Sequence, residues 1–172
     1  VDLLGEGKFE DIHHIIKDAL NAGENHDIGH DYFESFDDRM TKMDRHTITT
    51  GWPVLDKILN GGYGKGELIT YLAGTGIGKS WLLAYAGKSS LTIGKTVLHY
   101  TFELYDHQVG NRYDAIISNI PINQITDHKE EVKLRLKKFS ELNKGKLIIK
   151  NYPPKSANVT TIRNHINKLL HY

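Results

Sequence analysis

An α/β fold with a mostly parallel sheet and flanking helices is predicted by three observations. Short β-branched and aromatic runs alternate with helix-length amphipathic stretches. A glycine-rich loop, Ala73-Gly74-Thr75-Gly76-Ile77-Gly78-Lys79-Ser80, lies between an apolar run and a helix-like run. Strands that alternate with helices need crossover connections, and these place helices on both faces of a parallel sheet.

Residues 8–21 read as an amphipathic helix. Phe9, Ile12, Ile16 and Ala19 follow helical spacing, Ile15 and Leu20 widen the stripe, Gly23 is a stop, and the apolar face must be buried either on its own domain or on a neighbouring subunit. A polar stretch, Gly23 to Asp31, follows. Tyr32, Phe36, Met40 and Met43 suggest a second short helix. In the next stretch Pro53 suits a first helical turn, and Asn60-Gly61-Gly62 ends that helix. Leu68-Ile69-Thr70-Tyr71-Leu72 reads as the strand before the glycine loop, and Trp81 to Ala86 as the helix after it.

Gly94-Lys95 marks a turn, and Thr96 to Phe102 reads as a strand ending at Glu103. Residues 106–119 read as a helix, and Pro121 then interrupts the chain. Residues 127–143 read as a charged helix with Val132, Leu136, Phe139 and Leu142 on its inner stripe. Its mixed charges suit a solvated face. Lys146 to Lys150 is a third strand, and a last helix spans about residues 158–170. Residues 1–45 are expected to form a linker helix and connecting segment, and 46–172 the α/β core.

Composition bounds the function. The 172 residues carry a net charge of +1, so bulk charge does not announce nucleic acid, although a local patch could bind it. The absence of cysteine excludes disulfides and thiolate metal sites. No apolar run approaches the roughly 20 residues that span a bilayer. The N-terminus lacks the basic start and apolar core of a signal peptide. It also lacks an initiator Met, so a preceding segment is expected.

The glycine loop suits phosphate. Gly74, Gly76 and Gly78 allow backbone angles that a side chain would block. The loop amides can then converge on phosphate oxygens at a helix N-terminus, which favours anions. Lys79 brings positive charge to the outer phosphates, and the Ser80 hydroxyl is placed to ligand Mg²⁺. The pattern starts with Ala73, where Gly is usual. Glu103 ends the second strand on the same rim. A carboxylate there can orient a water attacking a terminal phosphate, or it can simply open the next helix, where the macrodipole favours acids.

Three blocks resemble the hexameric replicative helicases of the DnaB type, within the RecA-like P-loop ATPases. T-G-W-P-V-L-D-K-I-L-N-G-G is similar to that family's T-G-x-x-x-L-D…G-G block. L-A-G-T-G-I-G-K-S is the phosphate loop. T-F-E-L-Y-D-H-Q-V-G-N-R resembles S-L-E-M-x-x-x-Q-L-x-x-R, and is the discriminating block. The resemblance runs from about Thr50 to Tyr172 and looks most like phage-encoded members. It implies a RecA-like P-loop core that hydrolyses ATP with Mg²⁺ and moves along single-stranded DNA. It implies that Glu103 is the catalytic glutamate and that Arg112 contacts the nucleotide near its base, beside Gln108. On residues alone, Arg112 could equally be a surface arginine in a helix ion pair.

The same resemblance implies a homo-oligomer, a hexamer, with the helix at 8–21 docked on the adjacent subunit, an arginine finger supplied in trans, possible company of a primase, and a cytoplasmic setting with no membrane. One departure is large. No Walker B motif is present, since Leu147-Ile148-Ile149 is followed by Lys150-Asn151. In the family that motif would follow the last helix, as would the DNA-contacting regions, which are expected after Tyr172. The chain therefore resembles the front part of a RecA-like domain, and alone it is expected to turn over ATP weakly or not at all. A RecA- or KaiC-like ATPase that does not unwind, and a nucleotide-binding assembly module, are the other two readings.

His26 and His30 have a spacing that can chelate a metal on a helix, but Gly29 opposes a helix there, so a polar linker is the favoured reading. Lys65 is read as a solvated turn lysine.

Overall fold

The computed structural model describes residues 9–21, 32–40 and 45–171. The chain divides into two compact units, Val1–Asp44 and Arg45–Tyr172. In the first unit, α1 spans Phe9–Asn21 and α2 spans Phe36–Met40. Phe9, Ile15 and Ile16 on α1 are exposed. Met43 and the segment holding His26 and His30 lie outside the described residues.

The second unit contains β1 (Thr47–Ile48), α3 (Pro53–Ile58), β2 (Tyr63–Gly64), α4 (Lys79–Thr92), β3 (Val97–Thr101), α5 (Asp106–Ser118), a 3₁₀ turn (Ile122–Gln124), α6 (Lys129–Leu142), β4 (Leu147–Asn151) and α7 (Val159–Leu170). β3 and β4 are parallel, in a register from Val97 opposite Leu147 to Thr101 opposite Asn151. α5 and α6 form the crossover between them, as parallel pairing requires. β1 and β2 make a separate two-residue antiparallel pair.

The core lies where α4 and α5 meet the sheet. Ala84, Leu91, Val109 and Tyr113 are buried, with Val97, Leu104, Ile116, Ile117, Phe139, Leu147 and Ile149 packed around them. Alternation along β3 explains this. Val97, His99 and Thr101 share one face, while Leu98, Tyr100 and Phe102 share the other. α5 ends at Asn119, whose φ of 54° is a left-handed stop ahead of Pro121. Val132 of α6 is buried, whereas Leu142, expected on the inner stripe, is exposed at the helix end.

The expected strand at Leu68–Leu72 does not form. The run joins no ladder among the described residues, and Leu68 and Leu72 are 94% and 90% exposed. Apolar, β-branched composition favours a strand only when a neighbour accepts its hydrogen bonds and covers its side chains. The sheet is accordingly one parallel pair and one short antiparallel pair, smaller than the mostly parallel sheet expected.

The block from Thr49 to Asp56 is held by one carboxylate. Asp56 accepts from the Thr50 amide at 2.7 Å, from the Thr50 hydroxyl at 2.6 Å, and from the Thr49 hydroxyl. Gly51 has φ +85°, and a Cβ there would meet Ser89 and the Tyr85 ring. These contacts explain a Thr-Gly followed by an Asp in structural terms. Hydrogen bonds from Thr49 and then Thr50 hold the Asp56 carboxyl below its ordinary 3.8. A depressed carboxylate contributes stability that is present above pH 3.8 and lost as pH falls through the folded-state value. The stability gap between the wild type and Asp56→Asn is therefore expected to narrow on the acid side of that value. Denaturant melts across that range measure it, and a gap independent of pH would contradict the assignment.

Candidate functional site

The loop at Ala73–Ser80 is built by two left-handed glycines. Gly76 and Gly78 have φ of +79° and +99°, and a Cβ at either would meet nothing within 4 Å. Backbone conformation, more than space, therefore requires glycine there. Gly74, grouped with them from sequence, does not have positive φ. Gly78 is the N-cap of α4, and its carbonyl accepts from the amides of Trp81 and Leu82 at 2.9 and 3.0 Å. The preceding amides, of Lys79 and Ser80, have no carbonyl upstream within the helix. They open onto the loop with the positive end of the helix dipole behind them. Lys79 folds back, its ammonium donating to the carbonyls of Ala73 and Gly74 at 2.8 and 2.7 Å.

Glu103 is carried by a fastened turn. Thr101, buried at the end of β3, donates its hydroxyl to the Leu104 carbonyl at 2.9 Å and accepts the Leu104 amide at 3.1 Å. The Asn151 side chain donates to the same carbonyl at 2.7 Å. The turn is thereby tied to both strands, while Glu103 itself remains exposed.

The structure brings Ser80, Glu103 and Arg112 together. All three line one cavity of about 240 Å³, with Leu83, His99, Phe102 and Leu104 among its walls. Lys79 instead lines a larger cavity of about 500 Å³, with Ala73, Ile77, Gly78, Trp52, Trp81 and Tyr85. Thr75 and Gly76 line neither of these two cavities. The Ser80 hydroxyl is an oxygen donor of the kind that suits Mg²⁺. Among the described residues there is no cluster of three or more His, Cys, Asp or Glu placed to hold a metal.

Arg112 makes no ion pair with a described residue. Its guanidinium lies 5.8 Å from the centroid of Trp81, and its Nη1 is buried without a hydrogen-bond partner. His99 sits between these groups and Tyr113. Its Nδ1 is 3.0 Å from the Tyr113 hydroxyl, and burial, followed by the nearby Arg112 charge, lowers its pKa below 6.5. Burial pushes the Tyr113 hydroxyl up to about 12. Gln108 has a local role: its side-chain oxygen accepts the Tyr105 amide at 3.1 Å and so closes the start of α5.

Two features were not recognised in the sequence. Trp52 stacks on Tyr85 with ring centroids 4.3 Å apart, which ties the Thr50–Gly62 block to α4. Trp81 receives Arg112. The available signal was an aromatic residue directly after Lys79-Ser80, on a helix whose apolar residues are spread around its circumference.

The comparisons with known proteins follow the same direction. No family model matches the sequence. The chain is 29% identical over 161 residues to a protein named DnaB-like replicative helicase from Enterobacteria phage T4. The match covers 90% of this chain and 34% of that protein, so the chain spans about a third of the relative's length. The chain is a distant relative of a DnaB-like replicative helicase. Its mixed α/β architecture, with a parallel strand pair and flanking helices, is compatible with a P-loop NTPase core. Among the described residues no helix is long and apolar enough to cross a membrane.

Proposed function

We propose that this chain is part of the motor of an ATP-dependent replicative DNA helicase, with a RecA-like core that couples ATP hydrolysis to movement along single-stranded DNA. The observation that carries the reading is the meeting of Ser80, Glu103 and Arg112 in one cavity beside the phosphate loop. The relative's name and its 90% coverage of this chain support the helicase part.

In this reading the amides of Ala73 to Ser80, through Gly74, Thr75, Gly76, Ile77 and Gly78, cradle the ATP phosphates. The Lys79 ammonium leaves the Ala73 and Gly74 carbonyls for the outer phosphates, exchanging two neutral acceptors for anionic ones. Ser80 holds Mg²⁺, which supplies charge neutralisation at the phosphates. Glu103 orients the water that attacks the terminal phosphorus and accepts its proton. Arg112, held by Trp81, contacts the nucleotide. The exposed Phe9, Ile15 and Ile16 of α1 are the docking stripe for an adjacent subunit in a hexamer. Further DNA contacts and an arginine finger belong to regions beyond this chain in the helicase.

A forked-duplex unwinding assay on the full-length protein tests the function. ATP-dependent release of the displaced strand is expected. ATP hydrolysis without any strand release would replace the reading with that of a regulatory or recombination ATPase.

A further inference from the structure

The charge of this chain is unevenly distributed. Of the 22 Lys and Arg, six fall after Leu142: Lys144, Lys146, Lys150, Lys155, Arg163 and Lys168. Of the 21 Asp and Glu, none does, so the chain before Asn143 is net acidic and its last segment strongly basic. The near-neutral total conceals this asymmetry. On α6, where the charges are mixed, Arg135 pairs with Glu131 and Lys137 with Glu141. None of the six later basic residues forms an ion pair with a described carboxylate. Basic side chains left uncompensated in this way attract a polyanion.

Aromatic rings lie beside Lys150. Tyr152 follows β4 directly, and its ring is 6.2 Å from Phe102 at 21° and 6.0 Å from Tyr100 at 30°. The Lys150 ammonium is 5.7 Å from the Tyr152 centroid. Tyr100 bonds His165 of α7 at 2.8 Å, so the ring cluster joins the strand ends to the basic last helix. Phe102 is 45% exposed although it is a large apolar side chain. Lys155 projects from the turn after β4, exposed and with φ of 64°. An acidic protein partner would engage the lysines but gives no reason for an exposed Phe102 beside the half-buried rings of Tyr152 and Tyr100. A single-stranded nucleic acid engages both, with phosphates on the lysines and bases on the rings.

We propose that the surface formed by Phe102, Lys150, Tyr152 and Lys155 binds single-stranded nucleic acid. It assigns part of the DNA contact to this chain itself, in place of an assignment wholly to regions after Tyr172. The inference rests on the single-stranded-DNA part of the proposed function, and its surface shares Phe102 with the wall of the cavity of Ser80, Glu103 and Arg112. The surface adjoins the turn that carries Glu103, since the Tyr152 amide donates to the Thr101 carbonyl at 2.9 Å.

The test is fluorescence anisotropy of a labelled oligo(dT) with the full chain over a range of salt. Binding is expected, and Lys150→Glu with Lys155→Glu should weaken it by about 10-fold or more and flatten the salt dependence by roughly 0.7 per lysine. Phe102→Ala should weaken it about 10-fold with the salt slope unchanged, as loss of a stacked base does. Circular dichroism melts establish that each variant is folded. Wild-type affinity in the lysine variant overturns the proposal, and so does competition by poly-glutamate equal to that by unlabelled oligo(dT). Equal loss of duplex and single-strand binding in Phe102→Ala also overturns it. If Lys79→Ala loses MgATP but keeps oligo(dT), the nucleic-acid surface stands whatever the fate of the ATPase reading. If the surface variants bind DNA normally and the full-length protein unwinds, the helicase reading stands and this surface does not.

Discussion

Glu103→Gln in the full-length protein is expected to retain MgATP binding while ATP turnover falls by about 10²-fold or more. The substitution keeps the size and hydrogen-bonding reach of the side chain but removes the base. The turn that carries residue 103 is held by Thr101, Leu104 and Asn151, none of which bonds the carboxylate, so the exchange should not disturb the fold. Steady-state phosphate release and a separate nucleotide titration measure the two effects. Turnover near the wild-type rate would remove Glu103 from the chemistry and leave it as an acidic residue at the start of α5.

Lys79→Ala should act on binding instead. In the structure the ammonium makes two charge-assisted bonds to the Ala73 and Gly74 carbonyls, at 2.8 and 2.7 Å. Both are exposed. Loss of those bonds should therefore change stability little. Loss of the same charge from bound phosphates should weaken MgATP by roughly 3 kcal/mol, about 100-fold. Calorimetric titration of wild type and variant measures this, with thermal melts as the control. An unchanged affinity would mean that the loop does not hold the phosphates. A large drop in melting temperature would mean that the lysine is chiefly a clamp on its own loop.

Lys79 and its neighbour Ser80 show what could be read from the sequence. Lys79 and Ser80 follow glycines that take left-handed angles, a local requirement visible in residue types alone. β3 and β4 were readable because their β-branched runs pair with each other and bury side chains against α4 and α5. Leu68–Leu72 has the same composition, but its strand state depends on a neighbour that periodicity cannot supply. Leu142 continues a helical stripe in sequence yet falls where α6 ends and nothing covers it.

Contacts across the chain were harder to see. Asp56 bridges to Thr49 and Thr50, and Trp52 stacks on Tyr85, 33 residues away in the numbering. Neither leaves a periodic trace. Arg112 could be read as a helix-surface ion pair or as a nucleotide contact. The structure gives it Trp81 as its ring partner, leaves its Nη1 buried without a bond, and sets the residue against the cavity of Ser80 and Glu103. Net charge also concealed a feature, because a total of +1 averages an acidic first part with a wholly basic last segment.

In the proposed function the Ala73–Ser80 loop and Glu103 together form one nucleotide site. A crystal structure of the protein with Mg²⁺ and a non-hydrolysable ATP analogue tests it most directly. The account predicts the phosphates on the amides of the loop, Lys79 turned from the Ala73 and Gly74 carbonyls toward them, Mg²⁺ on the Ser80 hydroxyl, and Glu103 facing the terminal phosphate. A triphosphate bound elsewhere, or bound on the loop with Glu103 turned away from it, would contradict the account.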